Sequence, residues 1–317
     1  MTAAAARMKE IELDVNPEAR WHAQVGWKAE DYFKDKQVIA LCRAIEANDV
    51  QEMERLIAAG ADVKAIGKDG MTPLLWAFPD RKLERFECLL RHGADPNATF
   101  ESDFGVRNRK FDPAAGSLLV DHGCYAGESV THLACRSPTI EYLQLVLVHG
   151  GNANLIDKKT GAVPLYLVLE REHREMKERV ELLIEHKADL NHYVKGYYAT
   201  PVMEAVQCGR YDVALLMIKA GADPGLYPPD GERKLIHTVL REKRDLQYFT
   251  PEKAAEYQTL VNWLEQHGES LEQAQADEDH WAQMYKNAVD SASTVKIRQQ
   301  IIAERKQQTS KAIERQP

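Results

Sequence analysis

The residues best suited to chemistry lie together in one segment, 112–135. It contains His122 and Cys124, followed by His132 and Cys135. Histidine and cysteine are zinc ligands, and a histidine close to a cysteine can serve as the base of a thiol nucleophile. The spacing of these four residues fits no zinc-finger pattern. A metal or thiol centre in this segment is therefore kept only as an alternative.

Other signs of catalysis or cofactor binding are missing from the sequence. The segments "GKDGMTP" and "GAVPLYLVLE" lack the glycine spacing and the Lys-Ser/Thr pair of a phosphate-binding loop. The charged residues of "LEREHREMKERVE", residues 169–181, are spaced as on the solvated face of a helix. We therefore expect no catalytic residue, no metal, no cofactor and no enzymatic activity.

Length and charge describe an acidic chain that can bury a sizeable core. Of its 317 residues 44% are hydrophobic, and 41 basic against 49 acidic side chains give a net charge of −8. Such a chain has no general attraction for nucleic acid or for anionic lipid, so neither a nucleic acid nor a membrane is expected as a partner.

Three further observations indicate a cytoplasmic protein. The first residues, "MTAAAARMKEIELD", lack the basic and apolar regions of a secretory signal. No uninterrupted apolar run approaches the length of about 18 residues that suggests a membrane span. The five cysteines are scattered and form no C-x-x-C pair, as expected of reduced thiols.

One phrase recurs along the chain. It appears as "AAGADVKA", "RHGADPNA", "VHGGNANL", "EHKADLNH" and "KAGADPGL", with a degenerate sixth copy, "EQHGESLE". Equivalent positions in successive copies are 33, 57, 37, 34 and 47 residues apart. A second phrase precedes four of the copies: "MTPLLWAF", "SVTHLACR", "AVPLYLVL" and "ATPVMEAV". The base period is about 33 or 34 residues, with insertions.

These two phrases resemble the ankyrin repeat, in which a T-P-L-H turn, two helices and a G-A-D-x-N-A segment recur. The resemblance covers about 36–271. It implies an all-α solenoid of about six repeats, each a helix–turn–helix followed by a hairpin finger. The insertion, 101–127, falls between repeats 2 and 3. The expected repeats are 36–70, 71–100, 128–161, 162–197, 198–231 and 232–271.

The residues of each copy suit this architecture. Thr72-Pro73 and Thr200-Pro201 place a capping hydroxyl before a proline, which a helix tolerates in its first turn. The glycine after the second helix can take the left-handed conformation that ends a helix. Lys187 stands there in the fourth copy, at an expected cost of about 1 kcal/mol. The first and last copies depart from the pattern and are expected to cap the array.

Two segments flank the predicted repeats. Residues 1–35 are expected to cover the first repeat or, alternatively, to bind a partner through aromatic side chains. Residues 272–317 are polar and are expected to form a helical tail, with Trp281 and Tyr285 on one face of its first helix. The basic end of this tail is expected to be a solvated helix face and not a nucleic-acid arm. The aromatic residues of the first segment are Trp21, Trp27, Tyr32 and Phe33.

The resemblance also implies where a partner would bind, because ankyrin arrays bind proteins on the concave face formed by the fingers and the first helices. Two adjacent fingers carry tyrosines, which are enriched in binding hot spots. The insertion carries phenylalanines and arginines, and a loop of this length is usually functional or disordered. The alternatives are that the tyrosines pack between fingers and that the insertion packs down for its own stability. The predicted partner-binding residues are Phe78, Phe100, Phe104, Arg107, Arg109, Phe111, Tyr193, Tyr197, Tyr198 and Tyr227.

Three functions follow from these observations. The first is a non-enzymatic protein–protein interaction module or scaffold that binds another protein through the fingers and inner helices; this step is an analogy with the family. The second is a dedicated inhibitor or antidote protein that neutralises one enzymatic partner through the same surface. The third is the metal or thiol centre at 112–135. No self-complementary patch is evident in the sequence, so a monomer is expected.

Overall fold

The computed structural model describes residues 22, 27–78, 82–103, 125–169, 175–194, 199–229, 231–286, 288 and 290–313. The chain divides into two compact units, Met1–Leu167 and Val168–Pro317. The described residues of both units form helices joined by turns. Within the described ranges, the only strand-like pairing is an isolated antiparallel bridge between Thr99 and Ser129.

The helices of the described residues form six successive pairs, one pair in each predicted repeat. The first three pairs are α2 and α3, α4 and α5, and α6 and α7; they follow a short helix, α1. Their bounds are α1 Ala29–Tyr32, α2 Lys36–Ala47, α3 Val50–Ala58, α4 Pro73–Ala77, α5 Leu83–Arg91, α6 Val130–Cys135 and α7 Glu141–Val148. A short 3₁₀ turn, Lys68–Gly70, lies in the finger between α3 and α4.

The remaining pairs are α8 and α9, α10 and α11, and α12 and α13, and two further helices, α14 and α15, follow them. Their bounds are α8 Pro164–Leu169, α9 Met176–Glu185, α10 Pro201–Gln207, α11 Tyr211–Lys219, α12 Leu235–Glu242, α13 Pro251–Gln266, α14 Leu271–Tyr285 and α15 Ser291–Ile313. A 3₁₀ segment, Lys243–Tyr248, extends the connection within the sixth pair.

Threonine hydroxyls start several of these helices, as the sequence predicted. The Thr72 side chain accepts a hydrogen bond from the Leu75 amide at 3.1 Å, and Pro73 follows it. Thr200 accepts one from the Met203 amide at 3.4 Å in the same arrangement. Each hydroxyl satisfies one of the amides that the first turn of a helix leaves without a partner.

The turn after each second helix contains one left-handed residue. Five of these residues are glycines, and the sixth, Lys187, has a φ of 63°, which confirms the predicted left-handed position in the fourth copy. Two residues further on, an acidic or amide side chain closes the turn by accepting a hydrogen bond from the backbone amide two positions later. The closing residues are Asp62, Asp95, Asn152, Asp189 and Asp223.

Asparagines link successive fingers within each unit. The Asn97 side chain donates to the Gly150 carbonyl and accepts from the Asn152 amide, both at 2.8 Å. Asn191 accepts from the Asp223 amide at 2.9 Å. These bonds fix one finger against the next.

The described part of the N-terminal segment packs on the finger side of the first two repeats. Trp27, Tyr32 and Phe33 surround Trp76 of α4, with ring centroids 5.5 to 6.5 Å from it. The His22 Nε2 atom lies 2.7 Å from the Trp76 carbonyl oxygen. These aromatic residues therefore cover an inner helix of the second repeat; Trp21 lies outside the described residues.

The helix α14 packs against α12 of the sixth pair, and α15 packs against α14. Trp281 of α14 stacks on His237 of α12 at 5.0 Å, and Asp277 of α14 lies 3.2 Å from the His237 Nε2 atom. Ile301 of α15 is 1% exposed. The predicted tail is therefore helical, and Ala274, Trp281 and Ile301 are its buried apolar residues.

Candidate functional site

The histidine of the predicted chemical cluster has a structural role. The His132 Nδ1 atom lies 3.1 Å from the Ser129 amide nitrogen, and its Nε2 atom lies 3.0 Å from the Leu155 carbonyl oxygen. The ring is fully buried, and this burial lowers its pKa because it disfavours the charged form. Both nitrogens are thus occupied within the turns, and Cys135 is buried in the core. His122 and Cys124 lie outside the described residues.

Two of the predicted partner-binding residues belong to the core, which corrects their assignment. Phe78 is 1% exposed, and its ring lies 5.8 Å from Phe86 and 5.0 Å from Tyr142, so it packs between the second and third repeats. Phe100 is 2% exposed. Both are apolar rings close to a finger, and both are buried because they pack against neighbouring repeats.

Phe100 belongs to a paired stem at the base of the insertion. Its amide donates to the Glu128 carbonyl at 2.8 Å, and its carbonyl accepts from the Gly127 amide at 2.8 Å. Asp103 accepts from the Ala126 amide at 2.9 Å. The two ends of the insertion are therefore held side by side. The other predicted residues of the insertion lie outside the described residues: Phe104, Arg107, Arg109 and Phe111.

A buried ion pair fixes this stem to the third repeat. The Arg136 Nη1 and Glu128 Oε1 atoms are 2.6 Å apart, and their side chains are 11% and 3% exposed. A second Glu128 oxygen accepts from the Tyr125 amide at 3.0 Å. Because the carboxylate has several partners, it can be buried at a tolerable desolvation cost.

Both described tyrosines of the predicted cluster, Tyr193 and Tyr227, are half-buried. The Tyr227 ring carries the Arg305 guanidinium of α15 at 4.2 Å, and burial raises its pKa. One face of this ring is therefore already covered by the chain's own C-terminal helix. Tyr197 and Tyr198 lie outside the described residues.

One finger position, six residues after the left-handed residue, carries a large side chain in four of five repeats. In the first unit, Ile66 is 68% exposed and Ile156 is 50% exposed at this position. Tyr193 and Tyr227 hold the same position in the second unit, and Thr99 of the bridge holds it in the second repeat. The sequence-based choice missed both isoleucines, although aligning the fingers on their glycines would have revealed the recurrence.

The stem adds an exposed aromatic residue near these fingers. Tyr125 is 44% exposed, and the Lys159 Nζ atom lies 5.6 Å from its ring centroid. The same lysine is 4.0 Å from the Asp103 carboxylate. The stem and the third finger, which contains Ile156, thus present apolar and charged groups together, as hot-spot residues and their polar surroundings do in protein interfaces.

Comparison with known proteins agrees with these repeats. A family model for three ankyrin repeats matches residues 117–227, and a single ankyrin repeat model matches residues 69–100. Together with the six helix pairs and their fingers, the matches show that the chain belongs to the ankyrin repeat family. The predicted fold class, an all-α ankyrin repeat array, is confirmed.

Several curated proteins are similar over part of the chain. The mitochondrial disaggregase of Bos taurus is 47% identical over 58 residues, which are 18% of this chain and 9% of that protein. The B-cell lymphoma 3 protein homolog of Mus musculus is 26% identical over 190 residues, 60% of this chain and 36% of that protein. The ankyrin repeat protein nuc-2 of Neurospora crassa is 24% identical over 190 residues, 55% of this chain and 17% of that protein. The chain thus spans well under half of the length of each of these three relatives.

The family membership defines a general class of function. Ankyrin repeats generally bind other proteins, so the chain contains a protein–protein interaction module. Among the described residues, no helix combines the length and the apolar composition needed to cross a membrane.

Proposed function

We propose that the chain is a non-enzymatic module that binds another protein through its fingers and the stem of the insertion. The recurrence of exposed isoleucine at one finger position, Ile66 and Ile156, carries the proposal. Single exposed apolar residues are ordinary on protein surfaces. The turn itself does not require a β-branched side chain at the same exposed position in two repeats. A partner protein that covers both side chains would gain binding free energy.

The surroundings of these residues support the same surface. Tyr125 of the stem lies close to Lys159 of the finger that carries Ile156. The N-terminal aromatic residues already cover Trp76 of α4, so the inner helix of the second repeat offers less free surface than the fingers. The proposed contact area therefore consists of the fingertips of the first unit and the stem.

The first test uses the full-length protein as bait in lysate from its native source. The Ile66→Ser/Ile156→Ser double variant is compared with wild type and with Val148→Ser. Val148 is a matched control because it is 71% exposed but belongs to the second helix α7 and not to a finger. Wild type and the control should recover the same partner, and the double variant should lose it.

The affinity for the recovered partner gives a quantitative version of this test. Covering the exposed part of two isoleucines contributes about 2 kcal/mol in total, or about 30-fold in Kd. Equal binding by the double variant, measured by calorimetry, would exclude the fingertips as the binding surface. In a further variant, a short Gly-Ser linker replaces 104–124 and the stem is retained. This variant measures how much the insertion contributes to the affinity for the partner.

The proposal also includes the oligomeric state of the module and its cellular compartment. The proposed module is a cytoplasmic monomer without nucleic-acid binding, in keeping with its net charge of −8. Light scattering at several protein concentrations tests the monomer, and a mass twice that of the 35.9 kDa chain would contradict it.

A further inference from the structure

Three side chains with metal-ligating atoms meet on the outer helices of the first two repeats. Cys88 lies on α5, His92 caps the end of that helix one turn later, and Glu54 lies on α3 of the preceding repeat. The Cys88 Sγ atom is 3.7 Å from Glu54 Oε1, and the His92 Nε2 atom is 2.6 Å from Glu54 Oε2. One ligand atom from each residue lies within 4.8 Å of the other two.

We propose that Glu54, Cys88 and His92 bind one Zn²⁺ ion, with water in the fourth position, and that the ion joins the first repeat to the second. Thiolate and imidazole ligands select zinc over magnesium or calcium, which prefer sites made of oxygen atoms. The i, i+4 spacing of Cys88 and His92 places both ligands on one helix face, as in known helical zinc motifs.

The distances are close to those of a tetrahedral zinc site. With Zn–S of about 2.3 Å and Zn–N and Zn–O of about 2.1 Å, neighbouring ligand atoms are about 3.4–3.6 Å apart. No two of the three ligand atoms are more than 4.8 Å apart, so shifts of about 1 Å bring them to this spacing. The distance between His92 and Glu54 must increase by less than about 1 Å, which rotation of the Glu54 carboxylate can supply because this side chain is 39% exposed.

Zinc binds cysteine as the thiolate. When zinc binds, the Zn–S bond forms, the S–H bond breaks and the proton goes to solvent. No oxidation or reduction is involved.

A neighbouring arginine, Arg91, contacts the same carboxylate and allows an alternative without a metal. The Arg91 Nη2 atom donates to Glu54 Oε1 at 3.0 Å, which leaves Oε2 for a metal and orients the carboxylate. Its charge also opposes a bound cation. Without zinc, Arg91, His92 and Glu54 form a surface ion-pair cluster, and such clusters contribute little to stability.

Histidines at the same position in other repeats supply the control. His149 precedes the left-handed glycine of the third repeat, as His92 does in the second, but the residue one turn earlier is Leu145 instead of a cysteine. His186 and His267 donate from Nδ1 to the carbonyl four residues before them, at 2.9 and 2.7 Å. A histidine here is therefore usually a helix cap, and only its partners in the second repeat create a candidate metal site.

The test titrates full-length protein, purified without a histidine tag and freed of metal by a chelator, with ZnCl₂ in a calorimeter. Wild type should bind one equivalent, and Co²⁺ in its place should give an intense thiolate-to-metal absorption band. Cys88→Ser and His92→Gln should each weaken Zn²⁺ binding by at least about tenfold and remove the band. His149→Gln should bind as wild type does. Circular dichroism in metal-free buffer confirms that each variant is folded.

Two results would overturn the proposal. One is the absence of stoichiometric Zn²⁺ binding by wild type, which would leave the three residues as an ion-pair cluster. The other is unchanged affinity in His92→Gln, a variant at a side chain that is 35% exposed and whose loss does not disturb the core. Unchanged affinity would assign the bound ion to other residues.

Discussion

Replacement of Lys187 by glycine should stabilise the protein. Lys187 ends α9 with a φ of 63°, and its amide donates to the Ile184 carbonyl at 3.0 Å. The equivalent residue of every other repeat is a glycine with a φ between 84° and 110°. The backbone of the fourth repeat therefore holds a side chain in a conformation that favours glycine.

The magnitude follows from two opposing contributions. A non-glycine residue in the left-handed region costs about 1–2 kcal/mol, whereas glycine loses more backbone entropy on folding, by roughly 0.5–1 kcal/mol. The net gain from Lys187→Gly is about 0.5–1 kcal/mol. For a domain of about 150 residues or more this raises Tm by about 1–4 °C.

Two variants separate the backbone from the side chain. Lys187→Ala removes the charge and the long side chain but keeps a Cβ in the left-handed region, so it should bring no gain. Gly221→Ala makes the reverse change at a φ of 110°, where an added Cβ would meet no atom within 4 Å. Its expected loss of about 1 kcal/mol or more is therefore due to the backbone alone.

Thermal unfolding followed by circular dichroism measures all three variants. Because the chain divides into two compact units, the change should appear in the transition of the unit that contains Lys187. A gain in Lys187→Ala equal to that in Lys187→Gly would show that the side chain, and not the conformation, is unfavourable. A loss in Lys187→Gly would refute the reasoning outright.

Three further perturbations have expected outcomes. Thr200→Ala removes a helix cap and should lower the free energy of unfolding by about 1 kcal/mol in urea titrations, while Thr200→Ser should retain most of it. Arg85, 1% exposed, donates to two backbone carbonyls near the ends of first helices at 3.0 and 2.9 Å, so Arg85→Ala should cost about 3 kcal/mol or more in the same assay. Burial lowers the pKa of His132 and His237 below 6.5, so the folded protein binds fewer protons than the unfolded chain; the stability is complete above about pH 6.5 and is lost as the pH falls through the folded-state pKa values. Tm should therefore fall between about pH 7.5 and pH 5, and a flat profile would contradict this role for the two rings.

The fold could be predicted from the sequence because each repeat contains short sequence signals of its own helices and turns. Thr-Pro pairs start helices, and an aspartate or asparagine after a left-handed residue closes the finger turn. The recurrence of these short signals fixes the register over the whole array. Even the exceptional Lys187 could be identified, because the five glycines define the conformation that it must share.

The candidate site could be predicted only in part, because exposure depends on neighbours that are distant in sequence. Phe78 lies near a finger in sequence, yet the Phe78 ring packs in the core against Tyr142 of the next repeat. Tyr227 lies at a fingertip, yet Arg305 of α15 covers one face of it. The spacing of Cys88 and His92 indicates a shared helix face, but only the stacking of repeats brings Glu54 to them.

The helix α14 replaces a finger, and this replacement affects how molecules can associate. In the third repeat the Nε2 atom of His132 contacts the backbone of the finger that follows. In the sixth repeat the corresponding nitrogen of His237 contacts the Asp277 carboxylate, and Trp281 stacks on the same ring. A bare terminal repeat could accept the first repeat of another molecule, and such head-to-tail contacts do not close, so they would continue into filaments. Because the charged helix α14 covers His237 at this end, we expect it to oppose polymerisation of the array.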